Sequence, residues 1–449
     1  MTTDPAFASA RTLSARIARR EMSAVEVLDS QLARMEALNP ALNAVVSLDP
    51  DAARRAARHA DDAVARRVDL GPLHGVPITL KDGHDVAGMR TTLGTAALDR
   101  VPERDGTIAA RLRAAGAIIV GHTNVPPFLA GYDADNPLFG RTDNPWDSGR
   151  TPGGSSGGAA AALAAGMTPV EVGSDLAGSL RIPPHFCGVY GLMATEHRVP
   201  VTGFFRPPDG SAQTVRILSS LGPMARDLDD LELILRLVAG PDGLDSDVPP
   251  VPLPPRRRRS ATSLRLAWAE RLPDAPVADE LRTEVERVAT EAASAGAVVE
   301  QRLPDLDWSD QWVFGELMSL TEVYVPGADP KTLAWYFRAL ERRDRWMSAW
   351  ERFFDDHDAL ILPPAASVAF PHGAGETDRQ GLSCVFANLA GLPALTVPAG
   401  RSADRHLPIG VQIVGPRWSE IRLLDIAACF EDLGILPGFR PPPGVGIGG

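Results

Sequence analysis

The chain has 449 residues, 44% of them hydrophobic, and a formal net charge of −12 at pH 7. That is ample for a sizeable core, and the negative balance argues against a nucleic-acid partner, whose phosphates call for a basic surface. No run of about 18 apolar residues occurs, residues Met1 to Arg20 lack the apolar core of a signal peptide, and the three cysteines have no CxxC spacing. A cytoplasmic protein with reduced thiols, no membrane span and no metal or other cofactor is expected.

In chain order, Ser23-Ala24-Val25-Glu26 is a capping box and opens an amphipathic helix that Asn39-Pro40 is expected to stop. Residues 43–48 read as a strand, 51–67 as a charged helix and 76–80 as an apolar strand ending at Lys81. Residues 107–115 read as helix, 117–120 as strand, 157–166 as an alanine-rich helix and 167–172 as strand. Strands alternating with helices predict an α/β fold: a large mixed, mainly parallel central sheet covered by helices on both faces. Residues 240–262, rich in proline, aspartate and arginine, read as the best boundary between two lobes, and 436–449 as a flexible tail.

Of the 45 lysines and arginines only two, Lys81 and Lys331, are lysine. A lysine retained at the end of a buried strand points to chemistry closed to arginine. In apolar surroundings an ammonium can lose its proton near neutral pH, and a guanidinium cannot. Two glycine-flanked serine segments lie downstream, Gly153-Gly154-Ser155-Ser156-Gly157-Gly158 and Gly173-Ser174-Asp175-Leu176-Ala177-Gly178-Ser179. The first satisfies the loose G-x-S-x-G pattern, but a loop precedes it where a nucleophile elbow needs a strand. In the second, small residues let backbone N–H groups approach a developing oxyanion. Asp82, Asp175 and Arg181 border these segments and are read as ordering them, and His84 as structural.

Together these segments resemble the amidase signature family of serine hydrolases. The resemblance rests on residues 71–82 around Lys81, on 144–158, on 173–181, and on Phe186-Cys187-Gly188-Val189-Tyr190-Gly191-Leu192. Near the C-terminus, residues 388–393 and 407–412 match further family segments. It implies a single domain over residues 1–435, with Ser179 as nucleophile, Lys81 as base and Ser155, beside a cis peptide, as the bridging hydroxyl. The N–H groups of Leu176, Ala177, Gly178 and Ser179 would form the oxyanion hole, with Asp175, Arg181 and Ser156 in support. Three departures stand out: Ser174 for threonine, Ala177 for glycine, and Met193-Ala194 for Lys-Pro.

Specificity in this family is set outside the signature. Aromatic residues concentrate between Trp308 and Trp350, and at helical spacing they fit core better than pocket. Gly131, Phe128, Phe205, Trp312 and Trp335 are the candidate pocket residues, within a pocket region near 300–380. The expected activity is hydrolysis of a small apolar or aryl amide, carbamate (urethane) or ester by a monomer or homodimer. The alternative is the amidase (glutaminase) component of a tRNA-dependent amidotransferase.

Overall fold

The computed structural model describes residues 5–68, 70–204, 217–319, 331–374 and 378–445. Ser9 caps helix α1 (Ala10–Ala18), and the capping box forms at α2 (Ala24–Leu42), with Ser23 and Glu26 each satisfying the other's backbone N–H. Helix α2 does not stop at Asn39-Pro40; it carries Pro40 in its last turn. The cap offsets the bond that proline cannot make. Asn43, at φ 51°, donates its N–H to the Asn39 carbonyl, and the Asn39 side chain accepts from Ala44 and Val45. Then come β1 (Val45–Leu48), α3 (Pro50–Arg66), β2 (Pro77–Lys81), α4 (Thr107–Ala114) and β3 (Ile118–Thr123). The three strands form a sheet in the order β1-β3-β2, with β2 parallel to β3. A small hairpin, β4 (Asp135–Asn136) and β5 (Gly140–Arg141), follows.

The larger sheet begins after α5 (Gly157–Ala164) with β6 (Val170–Asp175), α6 (Ile182–Cys187), β7 (Tyr190–Met193), β8 (Ser220–Ala225) and α7 (Leu228–Val238). It continues with β9 (Arg265–Trp268), α8 (Asp279–Ser294), β10 (Val298–Gln301), α9 (Val313–Met318), α10 (Leu333–Asp356) and β11 (Ala359–Leu362). It ends with α11 (Val385–Ala390), β12 (Ala394–Arg401), β13 (Pro408–Val414) and α12 (Glu420–Asp432). Eight strands run in the order β10-β9-β11-β13-β12-β7-β8-β6. The expected large mixed sheet with helices on both faces is therefore present, but its parallel share is smaller than expected. Only β10–β9 and β9–β11 pair parallel, where helices supply the crossovers; the other pairs are antiparallel.

Alternation along the strands serves two cores. Leu266, Ile361, Leu395 and Ile413 pack with Leu231 of α7, Val285 of α8 and Leu424 of α12. Ala267, Leu360, Leu362 and Ala394 pack with Leu163 of α5, Trp346 and Trp350 of α10 and Phe386 of α11. The core reading of the aromatic run thus holds for Trp346 and Trp350, which stack edge-on against Trp308.

Residues 240–262 are not a free linker. Val251 and Leu253 carbonyls accept from Arg198 and Arg236, and the Arg257 N–H donates to Asp425 of α12. The tail is likewise held as far as Val445, which is buried and whose carbonyl accepts from Arg34 at 2.6 Å. Arginine and carbonyl pairing fixes segments whose composition suggests mobility.

The two sheets meet where β2 lies beside β6, and side chains close the seam. The Thr79 N–H donates to the Thr168 hydroxyl at 3.1 Å, and the Thr79 hydroxyl donates to Glu171 at 2.7 Å. This seam delivers the end of β2 to the end of β6.

Candidate active site

Lys81 is the last residue of β2 and is fully buried. Its Nζ lies 2.8 Å from Ser155 Oγ, and Ser155 Oγ lies 3.0 Å from Ser179 Oγ. A continuous line of hydrogen-bonding atoms therefore joins the amine to Ser179 through one hydroxyl. Lys81 Nζ also reaches the Ser174 hydroxyl at 3.0 Å, so serine in place of threonine keeps that contact. The peptide bond between Gly154 and Ser155 is cis. Burial pushes the Lys81 ammonium down to about 7, against the opposing pull of Asp175 and Glu171. The same burial pushes Glu171 up to about 8. A neutral amine at physiological pH is thus within reach.

The loop after β6 is tied down from below. The carboxylate of Asp175 accepts from the N–H groups of Gly178 at 2.8 Å and Leu180 at 2.9 Å, and both of its oxygens pair with Arg181. Burial alone would raise the Asp175 carboxyl, but Arg181, Asn388 and the Leu180 N–H together hold it below the usual range. Arg181 also donates to the Cys384 carbonyl and to Asn388 of α11, which clamps the loop to the start of that helix. Tyr132 donates to the Ala177 carbonyl at 3.1 Å.

One consequence corrects the expected oxyanion set. The Gly178 N–H is committed to Asp175 and is not aimed at a substrate oxygen. Among the described residues, the N–H groups of Leu176, Ala177 and Ser179 have no such partner.

The first serine loop is built by close packing. A methyl at Gly154 would lie 2.1 Å from the Asp133 carbonyl and 2.7 Å from that of Gly131, so the chain after Gly131 lies directly on the serine loop. The Ser156 hydroxyl is buried without a partner and faces Gly173. On one flank of the site Ile182, Phe186, Ala365, Ala369 and Cys384 make a small apolar cluster with Tyr132 and Phe370.

The structure brings Lys81, Ser155, Ser156, Asp175, Arg181 and Ser179 together, with Gly131 behind them. Among the described aromatic pocket candidates, Phe128, Trp312 and Trp335 make no hydrogen bond or ring contact with these residues. Phe128 is 55% exposed at φ 55°, and Trp312 is 52% exposed. Trp335 lies at the start of α10 beneath the Lys331 ammonium. Phe205 lies outside the described residues. His84 is buried, its N–H donates to the Lys81 carbonyl at 3.2 Å, and its ring Nε2 lies 3.0 Å from the Val172 carbonyl. Sequence reasoning missed Thr79, Glu171, Tyr132 and Cys384. Only Glu171 left a signal, as an acid between Val170 and Val172 in a segment read as strand.

A family model described as Amidase matches residues 26–324 and 318–424 of the chain. The A subunit of the glutamyl-tRNA(Gln) amidotransferase of Thermus thermophilus is 35% identical over 97% of this chain and 99% of that protein. Among solved structures, the peptide amidase of Stenotrophomonas maltophilia is 28% identical, covering 97% of this chain and 98% of its own, with a TM-score of 0.80. The 6-aminohexanoate cyclic dimer hydrolase is 26% identical, covering 98% and 100%, with a TM-score of 0.83. The amidotransferase relative overturns one expectation, that of a monomer or homodimer serving a small molecule with no nucleic acid involved. Net charge sums the whole surface and cannot exclude a tRNA handled by an assembly. Among the described residues no helix is long and apolar enough to cross a membrane.

Proposed function

The chain belongs to the amidase family of hydrolases acting on C–N bonds, and from that premise we propose that it works through an acyl ester on Ser179. The observation that carries the reading is the unbroken path from Lys81 through Ser155 to Ser179. As Ser179 Oγ bonds to the carbonyl carbon, its proton passes to Ser155 and the Ser155 proton passes to Lys81. The N–H groups of Leu176, Ala177 and Ser179 receive the oxyanion. The protonated relay then runs backwards, the C–N bond breaks, and the nitrogen leaves with the proton. Water enters by the same route and releases the carboxylate.

For the substrate we propose the side-chain amide of glutamine, cleaved to glutamate and ammonia within a tRNA-dependent amidotransferase assembly. Relatives that share about a third of their residues over nearly their whole length support this. The test is glutamate release from glutamine by the purified chain, alone and with the partner subunits of such an assembly. Glutaminase activity that appears or rises with partners upholds it, and none under either condition sinks it. A second reading, hydrolysis of an apolar or aryl amide, a carbamate or an ester, is favoured by the apolar cluster beside the nucleophile loop. Its support also includes likeness to a peptide amidase and a cyclic dimer hydrolase. Turnover of anilides, carbamates and esters in parallel assays separates the two.

A further inference from the structure

We infer that Tyr132 is a positioning residue for the reaction: its hydroxyl, reaching from beside one serine loop to the other, fixes the Ala177–Gly178 peptide and through it the direction of the Ala177 N–H in the oxyanion hole. This rests on the Ser179 acyl-ester reading above.

Three consecutive peptides run from Leu176 to Ser179, and they are held unequally. In the last, the Gly178 carbonyl accepts from the N–H groups of Arg181 at 2.9 Å and Ile182 at 2.7 Å. The polar groups of a trans peptide point in opposite directions, so the start of α6 sets the direction of the Ser179 N–H. The first peptide, Leu176–Ala177, has among the described residues no hydrogen bond at its carbonyl or its N–H. Its direction is set by the peptides on either side. Before it, the Asp175 carbonyl accepts from Asn388 at 3.4 Å. After it, the Ala177–Gly178 peptide is fixed at both ends: the Ala177 carbonyl accepts from the Tyr132 hydroxyl at 3.1 Å, and the Gly178 N–H donates to Asp175 at 2.8 Å. Turning that peptide over would break both bonds. Tyr132 is well anchored for this task. Its neighbours Gly131 and Asp133 lie on the first serine loop, where a methyl on Gly154 would run into both of their carbonyls. Its ring packs against the cluster of Ile182, Phe186, Ala365, Ala369 and Cys384. Gly381, in the short 3-10 helix Asp378–Ser383, closes over the hydrogen bond; a methyl there would overlap the Tyr132 hydroxyl and lie 2.7 Å from the Ala177 carbonyl. One side chain thus braces the backbone beside Ser155 against the backbone before Ser179, and the 3.0 Å between the two hydroxyls lies within that brace.

The experiment follows Ser179 labelling by a fluorophosphonate, in which Ser179 Oγ bonds to phosphorus, fluoride leaves and the relay carries the serine proton to Lys81. Saturation curves give a limiting rate and a half-saturating concentration. Tyr132→Phe keeps the ring and removes only the hydroxyl. Its limiting rate is expected to fall about tenfold, with the half-saturating concentration changed by less than about twofold and the acid limb of the pH profile unmoved. A merely structural hydroxyl would lower the melting temperature and leave the limiting rate of the folded protein unchanged. One that only lines the pocket would raise the half-saturating concentration alone, and one in the proton relay would move the limb. Any of these three results overturns the proposal. Should Tyr132→Phe not fold, Gly381→Ala, whose methyl displaces the hydroxyl from the Ala177 carbonyl, is expected to lower the limiting rate in the same way; an unchanged rate overturns the proposal. Equal labelling of the wild type and Ser179→Ala, none in either included, overturns the parent reading and this proposal with it. Labelling confined to Ser179 with an unchanged limiting rate in Tyr132→Phe overturns this proposal alone.

Discussion

Lys81 and Arg181 are both fully buried cations within one short reach of the nucleophile loop, and the chain uses a different residue type for each. Arg181 keeps its charge and forks onto both oxygens of Asp175, a geometry that lysine cannot reproduce. Lys81 touches hydroxyls and a carbonyl, and its acidic neighbours stand farther off. Lys81→Arg is therefore expected to abolish Ser179 labelling, by at least about a thousandfold, because the replacement cannot give up its proton. In the wild type the amine is the active form, so labelling should rise with pH through about 7. Stability carries the same signature. The folded value of about 7 lies below the unfolded 10.5, so the folded state holds fewer protons between them and is stabilised as pH rises through that window. Lys81→Met should gain stability over wild type at pH 7, and the gain should shrink toward pH 10.5; melting temperatures across that range check it. Asp175→Asn is expected to lower activity by about a hundredfold or more, because Arg181 is left buried without its charge and the Gly178 and Leu180 N–H groups lose a strong acceptor. Steady-state rates and far-UV circular dichroism read that outcome. At this scale the sequence was highly legible: scarce lysine beside abundant arginine marked Lys81, and glycine flanks marked both serines. The pairing of Glu171 with Thr79 was hidden because the two lie on strands far apart in sequence.

Elements were legible where their signals are local. The Ser23–Glu26 box fixed the start of α2, and the alanine-rich stretch became α5. Strand direction was not legible, since pairing depends on which distant strands become neighbours. The stop at Pro40 failed for a local reason that only geometry reveals, the Asn39 and Asn43 cap. Helix α5 shows how small residues carry an element into a site. A methyl on Gly158 would lie 2.3 Å from the Asn124 nitrogen and 2.7 Å from the Ala44 carbonyl, both backbone atoms with no room to yield. Gly158→Ala is expected to cost about 3 kcal/mol or more, while Gly240→Ala, at φ 88° with open space around it, should cost about 1 kcal/mol of backbone strain. Denaturant midpoints of the two variants test the contrast, and equal midpoints would show that α5 shifts freely.

Across the whole molecule, buried ion pairs do the long-range tying that neither core accomplishes alone. Arg343 of α10 donates to both oxygens of Glu196 at 2.7 Å and to the Leu389 carbonyl of α11 at 2.9 Å. Glu196 also accepts from the Leu218 N–H, and two residues on Arg198 pairs with Glu420 of α12. Residues 194–198, which follow the Met193-Ala194 departure, are therefore the point where α10, α11 and α12 are fastened to the end of β7. Asn388 of α11 in turn holds Arg181, so this fastening reaches the nucleophile loop through one helix. Removing one partner should leave an uncompensated buried charge, which costs more than the pair itself contributes. Arg343→Met is accordingly expected to destabilise by about 3–5 kcal/mol and to slow Ser179 labelling as α11 loosens. Combined with Glu196→Gln, the total loss should fall short of the two single losses added together, because the second change removes the stranded charge. Calorimetry on the two single variants and the double variant measures that coupling; strictly additive losses would mean that Glu196 and Arg343 act independently and that the helices are held by apolar packing alone.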